Sequence, residues 1–74
     1  MFEVKISIPK RYKGLVELVI PAHYIAAPAN RSRDIAYNFN GIGSWQEAAE
    51  ECDTVKDIMQ KNGVRHMELK INRR

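Results

Sequence analysis

The chain is poor in the residues that build reactive centres. It holds one cysteine, Cys52, in 74 residues, which excludes an intramolecular disulfide framework and fits a reducing compartment. Its two histidines, His23 and His66, share no metal-ligand spacing with each other or with Cys52, so neither a metal nor a cofactor is expected. No apolar run approaches the ~20 residues that cross a bilayer. The opening MFEVKISIPKRYK lacks the apolar core of a signal peptide, so a cytoplasmic protein without membrane contact is expected. A P-loop is absent, and Gly41-Ile42-Gly43 lacks the third glycine of a dinucleotide fingerprint. A single domain of this size buries only ~60% of its unfolded surface, which leaves little room for an enclosed active site. No catalytic residue is assigned, and a non-enzyme is expected.

What is present is clearest between Ser44 and Gly63, SWQEAAEECDTVKDIMQKNG. Trp45, Ala48, Ala49, Cys52, Val55, Ile58 and Met59 recur at steps of three and four, whereas Gln46, Glu47, Glu50, Asp53, Asp57 and Gln60 fill the other side. This is the pattern of an amphipathic helix. Ser44 with Glu47 has capping-box spacing at its start. Asn62-Gly63 supplies the left-handed stop, after which Val64 can fold back onto Met59. Asp57 and Lys61 form an i, i+4 pair oriented with the helix dipole.

Elsewhere the period is two. Phe2, Val4, Ile6 and Ile8 alternate with Glu3, Lys5 and Ser7, a strand that Pro9 ends. After the turn PKRYKG, the β-branched run LVELVI (15–20) reads as a second strand. Ile35, Tyr37 and Phe39 mark a short third strand over 34–39, with Asn40-Gly41 as the turn before the helix and 23–33 left as an exposed loop. Met67, Leu69 and Ile71 mark the last strand. The expected fold is α+β, a three- to four-stranded sheet with one helix on one face, in the order β-β-(β)-α-β. In that arrangement the third and last strands run parallel to the first. The Lys10 to Lys13 turn, Arg73, Arg74 and the helix start then gather at one end of the sheet, and the Arg31/Arg33 loop lies at the other.

Charge is unevenly spread. Residues 44–62 hold five acids and two bases, net −3, whereas the remainder, with ten bases and four acids, carries +6. Lys10, Arg11, Tyr12 and Lys13 set three cations around an aromatic, with Arg73 and Arg74 as further cations. Such a cluster contacts phosphates while the ring stacks on a base, as in single-strand binding. The 23–39 segment carries Tyr24, Arg31, Arg33 and Tyr37, residue types that anchor protein interfaces, although Tyr37 and Phe39 also suit a core. Ser44 already serves as a cap, and the glutamates of the helix read as a solvated face.

The stretch GSWQEAAEEC resembles, over about ten residues, the glycine, hydroxyl, acid and alanine pattern that opens the helix of HicB-type antitoxin N-terminal domains. A capping box produces the same pattern, so no residue role is carried over. The layout is similar to that of small phage proteins that inhibit bacterial RNA polymerase. Two functions are therefore expected in turn. The first is a small regulator or inhibitor of the kind phages and mobile elements encode, which binds a partner protein through Tyr24, Arg31, Arg33 and Tyr37, with a sheet edge that could make a homodimer. The second is a nucleic-acid-binding module using Lys10, Arg11, Tyr12, Lys13, Arg73 and Arg74.

Overall fold

The computed structural model describes residues 1–74. Strand β1 (Phe2–Pro9) leads through a single 3-10 turn (Lys10–Tyr12) into helix α1 (Lys13–Val19). Strands β2 (Ile25–Ala27) and β3 (Asp34–Ile42) follow, then helix α2 (Trp45–Lys61) and strand β4 (Glu68–Arg73). The strands form one antiparallel sheet in the order β2-β3-β1-β4. This β-α-β-β-α-β succession is the split-βαβ, ferredoxin-like arrangement, an α+β fold. No helix is long and apolar enough to cross a membrane.

The alternation in β1 sets the inside of the sheet. Val4, Ile6 and Ile8 are fully buried, and their cross-strand partners Phe39, Tyr37, Ile35, Ile71 and Leu69 share the same face. Val16 of α1 and Ala48, Val55 and Met59 of α2 close the core over them. Both helices thus cover one face. The other face carries Glu3, Lys5, Ser7, Asn38, Lys70 and Asn72, as the period of two requires.

Helix α2 obeys its expected signals. Ser44 Oγ accepts from the Glu47 amide at 3.1 Å. Gly63, at φ 87°, ends the helix while the Val64 and Gly63 amides donate to the Met59 and Gln60 carbonyls at 3.0 and 3.1 Å, the Schellman pairing. Lys61 meets Asp57 at 2.9 Å. Trp45 is the exception on the expected apolar stripe. It occupies the first helical position, and its residue is 60% exposed.

Four expectations are corrected. The 15–20 stretch is mostly helix α1 and not a strand. Tyr12, Leu15, Val16, Val19 and Ile20 stand at helical spacing and all pack on the core, whereas Leu18, which a strand would have placed beside Val16 and Ile20, is 84% exposed. Tertiary packing overrides the β-branched preference here. The 23–33 loop contains β2, whose three residues are too few to show a period. Asn40-Gly41 is not a turn but an irregularity inside β3. Between Phe2↔Ile42 and Val4↔Phe39 one extra residue is accommodated, and Gly41 takes φ 80°.

The last correction is one of direction. Helix α1 reverses the chain as the expected strand would, but the missed strand β2 adds one reversal, so β3 and β4 run antiparallel to β1 instead of parallel. The ends of the sheet are reassigned accordingly. Arg73 pairs with Phe2 at the start of β1, and the start of α2 lies at that end too. Lys10 to Lys13 lie at the opposite end, where the Lys10 amide donates to the Arg33 carbonyl at 2.7 Å and the Arg31/Arg33 loop joins them.

Candidate nucleic-acid interface

Three connections meet at the far end of β1, namely the 3-10 turn into α1, the β2–β3 loop and the α2–β4 link. Each arrives with cations: Lys10, Arg11 and Lys13 on the first, Arg31 and Arg33 on the second, Arg65 on the third. Pro9 places the turn, since it cannot continue an interior ladder and leaves the chain in a helical bend. The Schellman stop of α2 places Arg65 directly after buried Val64.

Few of these charges are neutralised. Lys13 lies 4.0 Å from Glu17 and Arg31 3.7 Å from Glu68, both as exposed pairs of little strength. Lys10, Arg11, Arg33 and Arg65 have no carboxylate within ion-pair distance, against one unpaired neighbouring acid, Asp34. Tyr12 sits among them. The Arg11 guanidinium lies 4.8 Å from its ring centroid, and Arg11 Nη2 donates to its hydroxyl at 3.4 Å. The hydrogen bond from Arg11, with the backbone and charge of Arg65, holds the phenol below its ordinary value despite some desolvation. A small polar cleft of about 140 Å³ opens beside them between Arg31, His66 and Glu68.

Of the other sequence-derived candidates, Arg73 and Arg74 are at the opposite end. Arg74 is occupied there: its amide donates to the Met1 carbonyl at 2.8 Å, and its Nη2 lies 2.6 Å from Glu3 Oε2 as a charge contact off the hydrogen-bond direction. Glu3 is only 2% exposed and also accepts from Asn72 Nδ2 at 3.1 Å. Tyr24 and Tyr37 point inward, at 6% and 9% exposure, so neither presents a ring to a partner. Arg31 and Arg33 are exposed and belong to the cationic end.

Tyr24 takes part in a second polar cluster that its sequence surroundings do not announce. His23 Nε2 lies 2.8 Å from Glu51 Oε1, and the Tyr24 hydroxyl donates to the same oxygen at 3.0 Å. The His23 ring packs on Phe39 and Tyr24 at centroid distances of 4.3 and 4.9 Å. Burial, then the Glu51 charge, raise the Tyr24 phenol far above its ordinary value. Burial, with Asp53 and Glu51, also raises the neighbouring Cys52 thiol, so it is no activated nucleophile. None of the molecule's three clefts touches this cluster. It is a clasp that fastens the 21–24 turn onto α2.

Sequence reasoning missed Arg65, because placing it depends on the direction of α2. Helix length carries the final residues of α2 to the end opposite its start, and only strand β2 makes that the end where Lys10 lies. No protein-family model matches this chain, nor does any curated protein or solved structure.

Proposed function

We propose that this chain is a small nucleic-acid-binding module that grips single strands at its cationic end. The observation that carries the reading is the convergence of unpaired Lys10, Arg11, Arg33 and Arg65 from three connections near a half-buried aromatic, Tyr12, which packs on the core and contacts Arg11. Cations spaced around a ring suit a flexible strand, because phosphates are held by charge while an unstacked base lies on the phenol. Arg11 already stacks on Tyr12, which supports a sandwich of guanidinium, ring and base. The helix-covered face has no part in this, and the open face of the sheet carries lysines, serine and asparagines instead of stacking aromatics.

The partner-protein reading is less well supported, because two of its four anchors are in the core and the other two are part of the cationic end. The test is fluorescence anisotropy with a labelled single-stranded oligonucleotide across a salt series. About four phosphate contacts give a log–log slope near −3, or roughly 50-fold weaker binding at 200 mM than at 50 mM salt. Binding that ignores salt, or none at low salt, would refute the proposal.

A further inference from the structure

The open face of the sheet holds an arrangement that adjoins the cationic end through Ser7, Arg31 and Glu68 but is independent of the function proposed for that end. Lys5 of β1 and Lys70 of β4 are direct cross-strand partners on this face. Like charges so placed are destabilising in isolation, since opposed β carbons lie only ~5 Å apart. Neither ammonium has a carboxylate within ion-pair distance. The acid in the same cleft, Glu68, lies 3.7 Å from Arg31, whose charge offsets it. Ser7 is the next residue along this face of β1, opposite Glu68.

The face is also roofed on one side. The β2–β3 loop is fastened by the Lys10 amide to the Arg33 carbonyl at 2.7 Å and by the Asp34 amide to the Arg31 carbonyl at 3.1 Å. Arg31 extends to Glu68 on β4, and Asn30 forms the wall of a cleft of about 320 Å³ with Lys5, Ser7, Glu68 and Lys70. Two lysines, a serine and an asparagine therefore border one hollow of ligand size, together with Glu68 and Leu69. These groups supply donors and a positive field, with no aromatic wall for a base to stack on.

We infer that the cleft between Lys5 and Lys70 binds the phosphate of a small phosphomonoester whose remainder is polar. Two lysines paired across the strands on one cleft match a group that carries between −1.5 and −2 charge at neutral pH and offers three acceptor oxygens, better than they match a carboxylate. A bound phosphate turns the repulsion between the lysines into two charge-assisted contacts, while Ser7 and Asn30 donate to the remaining oxygens.

The test is amide chemical-shift mapping of the full chain titrated with inorganic phosphate and with glycerol 3-phosphate, against sodium chloride of equal ionic strength. Saturable shifts at Lys5, Ser7, Asn30 and Lys70 are expected with both probes. Lys5→Gln and Lys70→Gln should weaken binding at least about tenfold. Without ligand, Lys70→Gln should raise the melting temperature slightly, which separates loss of binding from loss of fold. Shifts that never saturate, or variants that bind like the parent, overturn the inference. So do shifts confined to Lys10, Arg11, Arg33 and Arg65, a result that leaves the nucleic-acid reading intact. An oligonucleotide that perturbs the cleft where both small probes fail also overturns it.

Discussion

The two ends of the sheet use their arginines differently, two at one end and four at the other. At the end where β1 begins, Arg74 and Asn72 close over the buried Glu3 carboxylate, so the Arg74 charge is matched and structural. At the end where β1 finishes, four cations stand without partners on connections that the core already holds in place. Charge opposite a buried partner contributes to stability, and exposed charge left unpaired is free for a ligand. Substitutions should therefore separate cleanly into those that cost folding and those that cost binding.

The largest expected effect tests the unpaired end. Replacing Lys10, Arg11, Arg33 and Arg65 together by alanine should abolish oligonucleotide binding at 50 mM salt, while the melting temperature stays close to that of the parent, since surface substitutions usually stay within about 0.5 kcal/mol each. If binding persisted, the two ends would not differ in the way described. The matched end gives the opposite result. Arg74→Ala should leave anisotropy unchanged and cost about 1–3 kcal/mol in urea unfolding, because it strips cover from a buried carboxylate. Within the cationic end, Tyr12→Ala should weaken binding by about 1–3 kcal/mol without altering the salt slope, whereas Arg11→Ala should lower the slope by about 0.7.

A smaller effect concerns the clasp between the ends. The Tyr24 phenol is raised in the folded chain, so at neutral pH both folded and unfolded forms keep the proton. Above the ordinary value of 10.0 the unfolded chain releases it first. Stability should therefore fall as pH rises beyond about 10, by at most ~1.4 kcal/mol per pH unit for this group, and Tyr24→Phe should flatten that fall. An unchanged alkaline profile in Tyr24→Phe would show that the clasp is not what is lost.

The contrast between the helices explains what the sequence discloses. Helix α2 has long periodicity, a cap at Ser44 and a stop at Gly63, three independent signals that agree. Helix α1 has seven residues, no side-chain cap, a glycine at position 14 and a β-branched run, so its local chemistry argues for a strand. Only its packing makes it a helix. What reversed the sheet direction, and separated Arg33 and Arg65 from Lys10 and Arg11, was strand β2, whose three residues show no period yet add one chain reversal. Half of the candidate site, the Lys10 to Lys13 turn, was legible as a cluster of like charge. The other half was not, because bringing three connections together is a property of topology and not of any one stretch. The inward turn of Tyr24 likewise depends on Glu51, 27 residues away along the chain.

The central claim meets its most direct test in the salt dependence of oligonucleotide binding, compared between the parent chain and Arg33→Ala with Arg65→Ala. These two residues reach the cationic end only through the fold. The account predicts a slope near −3 for the parent and one shallower by about 1.4 for the double variant, with the same melting temperature. Identical slopes would mean that Arg33 and Arg65 do not act with Lys10 and Arg11, and the site described here would not exist.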